Sequence, residues 1–317
     1  MIVSVCLTPT LEKNWITPNF GIGGFYRVQQ EFEFASGKSV NTARVIKKLN
    51  REVVCVGFIG GSTGEKFLRL LDAEGISGSW IPIAGETRLS ITVFDPRSTR
   101  DATSICDAGP EISREEWARL SVDLIARAAQ ANLIYISGSV PPGVDPEAFG
   151  ELIERLGKAN KKIWLDLSGP MLRVGAGAKP FAIKVNAKEI SELAGERVQD
   201  SNEALAVSRK VRDRYQVSHV IATLGAEGAV CSSIDGEWLI GSIHYPKITS
   251  TIGCGDSFLG ALLVGYDRGD PLERCLHAAA AAASADTQKL GPGMFDLADY
   301  RDALSRITVE RVGPAYR

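Results

Sequence analysis

Residues 249–262 read TSTIGCGDSFLGAL. Gly253 and Gly255 stand two apart, Asp256 follows at once, and after Ser257 comes the apolar run FLGALLVGY (258–266). Glycine lets the backbone approach a ligand without a Cβ in the way, and the apolar run predicts a helix. The free N–H groups at the start of that helix then point back at the glycines and attract an anion. Asp256 is itself negative and cannot hold a phosphate. Beside one, its chemical use is to accept a proton from an attacking hydroxyl. The residues alone also allow a plain reading, an N-cap beside a tight turn.

Outward from this stretch the chain reads as α/β. From residue 107 onward short apolar runs alternate with amphipathic ones: ANLIYISGS (131–139), PEAFGELIERLGKAN (146–160), KKIWLDLS (161–168), FAIKVN (181–186) and AKEISELAG (187–195). Continuous apolar strands between helices require a sheet covered on both faces. The expected fold is a doubly wound, mostly parallel sheet with helices on both sides. Two segments break the alternation, about 12–34 and 86–107, where FYRVQQEFEF and RLSITVFD carry β-branched and aromatic residues near period two. We expect them to be two insertions that build a small β-sheet lid. The alanines at 278–283 predict a tightly packed core helix.

The 317 residues carry 36 Lys+Arg against 38 Asp+Glu, so no strong field draws the chain to nucleic acid or to an acidic membrane surface. A small-molecule partner is expected. Six scattered cysteines without a CxxC, and only three histidines, do not make a zinc set and read as reduced, buried thiols. The N-terminal MIVSVCL lacks a basic region and a long apolar core, and no uncharged apolar run reaches about 18 residues. The expectation is a soluble, cytoplasmic protein.

Five stretches, taken in order, resemble the PfkB carbohydrate-kinase family, whose fold is ribokinase-like. TIGCGDSFLGA resembles its C-terminal signature and ASGKSVNTARVIKKLN (35–50) its N-terminal glycine-rich signature. SGSVPPGV (137–144) resembles its mid-chain loop, IKVNAKEISELAG (183–195) its metal-associated segment, and TLGAEGA (223–229) its nucleotide loop. Together with LTPTLEK (7–13) and Lys38, they are most similar to the branch acting on phosphorylated hexoses, such as 1-phosphofructokinase and tagatose-6-phosphate kinase. The resemblance covers nearly the whole chain and implies one kinase domain over 1–317.

It also implies roles. Asp256 becomes the catalytic base, with the backbone of Gly253, Cys254 and Gly255 holding the transferred phosphoryl group. Cys254 reads as a spacer at a position that is usually small. Asn186 and Glu189 stand three apart on one face of a helix start, where they can orient the waters of a hydrated Mg2+ or simply form a capping box; Asp166 is a further acidic member. Lys184, Thr223, Gly225 and Gly228 fall at the ATP phosphates, near strand ends where α/β sheets bind ligands. On the sugar side stand Glu12, Gly37, Lys38, Asn41, Arg88 and Ser139, with Lys38 and Arg88 suited to a substrate phosphate.

The implied reaction is transfer of the γ-phosphate of ATP to a hydroxyl of a hexose phosphate (fructose 1-phosphate, fructose 6-phosphate or tagatose 6-phosphate). A kinase of an unphosphorylated sugar or nucleoside, and a catalytically silent sugar-phosphate or nucleotide-binding regulator, stay open. The family implies Mg2+, and pairing of lids across a homodimer. Glu12 stands where the branch usually has aspartate, and Ser36 and Ser39 replace glycines, so added hydroxyl groups are expected beside the sugar.

Overall fold

The computed structural model describes residues 1–97, 102–159 and 162–314. Positions 98–101 of the second expected insertion lie outside the described residues. The first half of the chain forms β1 (Ile2–Cys6), β2 (Thr10–Ile16), β3 (Gln30–Ser36), α1 (Lys38–Lys48), β4 (Val53–Ile59), α2 (Gly61–Ala73), β5 (Ser77–Pro82), β6 (Arg88–Phe94), β7 (Thr103–Cys106), α3 (Arg114–Ala128), β8 (Leu133–Gly138) and α4 (Pro146–Lys158). The second half forms β9 (Lys162–Leu167), α5 (Pro170–Gly177), β10 (Ala182–Asn186), α6 (Ala187–Ala194), α7 (Ser201–Tyr215), β11 (His219–Thr223), β12 (Ala229–Ser233), β13 (Gly236–Ile240), α8 (Cys254–Arg268), α9 (Leu272–Asp286), α10 (Leu297–Arg306) and β14 (Val309–Gly313).

The large sheet runs β14-β13-β12-β11-β10-β9-β8-β1-β4-β5. Its strands pair in parallel from β11 to β5, and the last three reverse to close one edge antiparallel. The alternation of each strand separates two cores. Val3, Val5, Ile163, Leu165, Ile183 and Val185 join the helices α3 to α7 on one face. Ile2, Cys6, Trp164 and Ala182 join α1, α2, α8, α9 and α10 on the other. This is the expected doubly wound α/β sheet.

The breaks in the alternation form the second, small sheet, of order β3-β2-β6-β7. β2 pairs with β6 in parallel and with β3 antiparallel. The alanine-rich run lies in α9, where Ala279, Ala281 and Ala282 are fully buried. Small side chains bring the helices around the site close together: a Cβ on Gly260 of α8 would come within 2.7 Å of Val45 Cβ in α1. Among the described residues no helix is long and apolar enough to cross a membrane.

One buried group makes the frame acid-sensitive. His219 stacks on Trp164 at 5.9 Å, meets Phe181 edge-on at 4.8 Å and shares a 2.7 Å hydrogen bond between Nδ1 and Ser233 Oγ. Burial, helped by Lys162 and Arg212, pushes its pKa down from 6.5 to about 4. The folded state therefore refuses a proton that the unfolded chain takes up, so stability is full above pH 6.5 and falls as pH drops toward 4. A difference of this size is worth about 3 kcal/mol. Urea midpoints for His219→Phe should change less over this window than those of the wild type; parallel curves would show that His219 does not carry the effect.

Candidate active site

Gly253 caps the N-terminus of α8 with φ 91°, and a Cβ there would meet Pro292 Cβ at 2.3 Å. Only glycine fits both the backbone and the space. Asp256 follows in the first turn and is buried. Its own N–H and that of Ser257 donate to Gly253 O at 2.9 Å, whereas Cys254 N makes only a 3.4 Å contact to Thr251 O. On the side-chain oxygens, Asn41 Nδ2 donates to Asp256 Oδ2 at 2.8 Å. Burial, and then the charge of Asp166, push the Asp256 pKa up to about 7, against the opposing pull of Lys38, Asn41 and Lys184. A carboxyl poised there can take up and release a proton near neutrality.

Asp166, at the end of β9, is fully buried between two cations. Lys38 Nζ lies 3.1 Å from its Oδ1 and Lys184 Nζ 3.0 Å from its Oδ2. Burial would raise this carboxyl, but Lys184 and Lys38 outweigh it and hold it below its ordinary value. Lys38 also sits 3.6 Å from Glu189 Oε1. A Cβ on Gly255 would lie 3.0 Å from Lys184 Nζ, so this ammonium rests against the glycine turn. The arrangement places positive charge beside a helix start and a near-neutral acid.

Asn186 and Glu189 form both bonds of a capping box: Asn186 Oδ1 accepts from Glu189 N and Glu189 Oε2 accepts from Asn186 N, each at 2.9 Å. Among the described residues no group of three His, Cys, Asp or Glu could hold a metal directly. Asp166 is bonded to two lysines and Glu189 to Lys38 and a backbone N–H, so both carboxylates are already engaged within the protein. Of the two readings of this pair, the capping box is the one its bonds show.

On the acceptor side, Ser36 Oγ lies 2.7 Å from Glu12 Oε2 and 3.1 Å from Asn41 Oδ1. The long acid and the serine, both departures from the family pattern, are thus bonded to each other. Burial raises the Glu12 pKa despite Ser36, Arg44 and Arg88. Arg88 Nε donates to Thr10 Oγ1 at 2.6 Å. Ser39 corrects an expectation. It is fully buried, with its Oγ 2.6 Å from Val5 O and 2.9 Å from Ser137 O, so its hydroxyl stitches α1 to the sheet and adds nothing beside a sugar.

A cavity of about 620 Å³ joins these parts. It is lined by Glu12, Gly37, Lys38, Asn41 and Arg88, by Gly253, Cys254, Gly255 and Asp256, and by Lys184, Asn186, Thr223, Gly225 and Gly228. Asp166 and Glu189 lie behind Lys38, and Ser139 sits off the lining with its Oγ 3.2 Å from Thr8 Oγ1. Burial, with Asp286 and Asp256 nearby, pushes the Cys254 thiol above its usual range, which leaves it neutral.

Sequence reasoning missed three kinds of residue here. His244 and Tyr245 line the cavity from a segment that carries no motif. Asp286 accepts from Ser257 Oγ at 2.8 Å, Gly293 N at 3.1 Å and Met294 N at 2.9 Å, and so pins the 287–295 loop to the start of α8. Arg44 reaches Asn41 from inside the protein, at 3.3 Å.

The model of the pfkB family carbohydrate kinases matches residues 25–297. The chain belongs to the pfkB carbohydrate-kinase family. A 1-phosphofructokinase of Escherichia coli (strain K12) is 28% identical over 309 residues, covering 98% of each chain. One of Bacillus subtilis (strain 168) is 26% identical, over 93% of this chain and 96% of that protein. The tetrameric inhibited form of phosphofructokinase-2 from Escherichia coli superposes with a TM-score of 0.88 at 25% identity, covering 96% of this chain and 98% of that one. As a pfkB kinase the protein is a phosphotransferase acting on a sugar hydroxyl, with ATP implied as co-substrate. In this pfkB kinase the cavity is walled by both sheets, since Glu12, Ser36 and Arg88 come from the small one.

Proposed function

We propose that this kinase transfers the γ-phosphoryl group of ATP to a free hydroxyl of a hexose phosphate, with fructose 1-phosphate, fructose 6-phosphate and tagatose 6-phosphate as the acceptors to test. The observation that carries the reading is Asp256: a buried carboxyl with a pKa of about 7, in the first turn of α8 and on the lining of the cavity. Asp256 takes the acceptor's proton as the hydroxyl attacks. The turn Gly253–Cys254–Gly255 holds the moving phosphoryl group by its backbone N–H groups, and Lys184 beside it offsets the charge that collects there.

Asn186, Glu189 and Asp166 would hold Mg2+ through water, and the ion when bound supplies charge neutralisation on the phosphates. Thr223, Gly225 and Gly228 accommodate the nucleotide phosphates. Glu12 and Asn41 take sugar hydroxyls, and Ser139 supports that end through Thr8. The small sheet serves as a lid, and its exposed Phe32 and Ile105, with Ile22 and Phe25 of the β2–β3 connection, suit burial against a second copy in a homodimer. We place the protein in the cytoplasm. Incubating it with ATP, Mg2+ and a panel of sugars and sugar phosphates, then weighing the products, tests the reading. A gain of one phosphoryl group on a hexose phosphate is expected; no phosphorylated product from any acceptor would overturn it.

Lys38 and Arg88 are the cations of the acceptor end. Lys38→Met should weaken binding of a phosphorylated sugar by roughly tenfold or more, the usual worth of a hydrogen bond to a charged group, and change an unphosphorylated analogue far less. Isothermal titration with both ligands checks this. Because Lys38 is also paired with Asp166, the thermal midpoint is recorded alongside. Equal losses for the two ligands would move the acceptor to an unphosphorylated sugar.

A further inference from the structure

Arg44 is a buried residue of α1 whose guanidinium is used on every side. Its Nε and Nη2 fork the carboxylate of Glu74 at the end of α2. Nη2 also donates to Ala35 O at 2.6 Å, at the end of β3, and Nη1 donates to Pro292 O at 3.0 Å. The same Nη1 lies 3.3 Å from Asn41 Oδ1, one turn earlier on α1. Asn41 in turn donates from Nδ2 to Asp256 Oδ2 at 2.8 Å.

A guanidinium has donors only. Facing one, the Asn41 amide must present its oxygen to Arg44 and its NH2 group to Asp256. Ser36 Oγ does not secure this orientation, because a hydroxyl can turn its single hydrogen to Glu12, which lies closer, and then faces Asn41 with a lone pair. Without Arg44 the amide is free to rotate, and a carbonyl oxygen turned to Asp256 would face an ionised carboxylate, acceptor against acceptor. Arg44 also ties this amide to the last residues of β3 and to the 292 loop, so three segments that wall the site share one anchor.

We propose that Arg44 is a positioning residue for phosphoryl transfer, which acts by fixing the Asn41 amide against Asp256. The inference rests on Asp256 being the proton acceptor, but one of its tests does not. A displaced catalytic group commonly costs about tenfold to a hundredfold in rate. Arg44→Met is expected to lower kcat by that amount with little change in KM for the nucleotide, and Arg44→Lys, which cannot form the fork, to restore little. In an Asn41→Ala background the same Arg44→Met change should cost less than about twofold, because groups acting through one another are not additive. Equal losses in the two backgrounds would reduce Arg44 to a packing residue and overturn the proposal.

Arg44→Met leaves Glu74 without its partner, so Arg44→Met with Glu74→Gln provides a second variant should the first fold poorly. The Asn41 side-chain NH2 resonances, assigned by their loss in Asn41→Ala, need no turnover. They should shift or broaden in the Arg44 variants. Unmoved resonances would overturn the proposal even in an active enzyme, whereas a wild type that phosphorylates nothing would instead sink the reaction assigned above.

Discussion

Asp256→Asn should keep the turn and both ligands while turnover falls by about 10²–10⁴, the usual contribution of a positioned general base. Asparagine has nearly the same shape and caps a helix about as well, so the fold has no reason to change. ATP and sugar affinities, read by calorimetry, should hold or improve as a negative charge leaves the neighbourhood of the phosphates. Stability offers a second readout. The folded pKa of about 7 lies above the ordinary 3.8, so the folded state loses stability as pH rises from about 3.8 to 7, and the loss is complete above 7, where the buried group is ionised. The variant is spared that cost and should melt higher than the wild type at pH 8. Turnover above about a tenth of the wild type would remove Asp256 as the base.

The second large effect belongs to the turn itself. Gly253→Ala adds a Cβ 2.3 Å from Pro292 Cβ at a backbone φ of 91°, so both the local conformation and the 292 loop must give way. The N–H groups proposed to hold the phosphoryl group would then lose their aim. Losing one donor from such a site commonly costs about 10²–10³ in kcat. The variant should retain sugar binding, since Glu12, Asn41 and Arg88 come from other elements. Near wild-type kcat in Gly253→Ala would show that the turn does not hold the transferred group.

Local geometry was legible. GCGD, the start of α1 and the Asn186–Glu189 pair each lie within a few residues at a helix start, where spacing alone constrains geometry. The two insertions were legible because period-two runs interrupt an α/β alternation, and they pair as one sheet. What was not legible is long-range: Lys38 reaches Asp166 across 128 positions, and Arg44 reaches Pro292 across 248. No spacing rule connects such pairs, which are set by strand order. Ser39 was misread for a related reason. One residue beyond Lys38, it turns toward β1 and β8 instead of the cavity, and only the packing of α1 on the sheet decides that direction.

The most direct test of Asp256 as the proton acceptor is the pH dependence of kcat/KM for the wild type with ATP and its best hexose phosphate, which reports the free enzyme. With Asp256 as the base, log kcat/KM falls with unit slope below a midpoint near the group's pKa of about 7, and this limb is missing from the residual activity of Asp256→Asn. The same acidic limb in both proteins would contradict it.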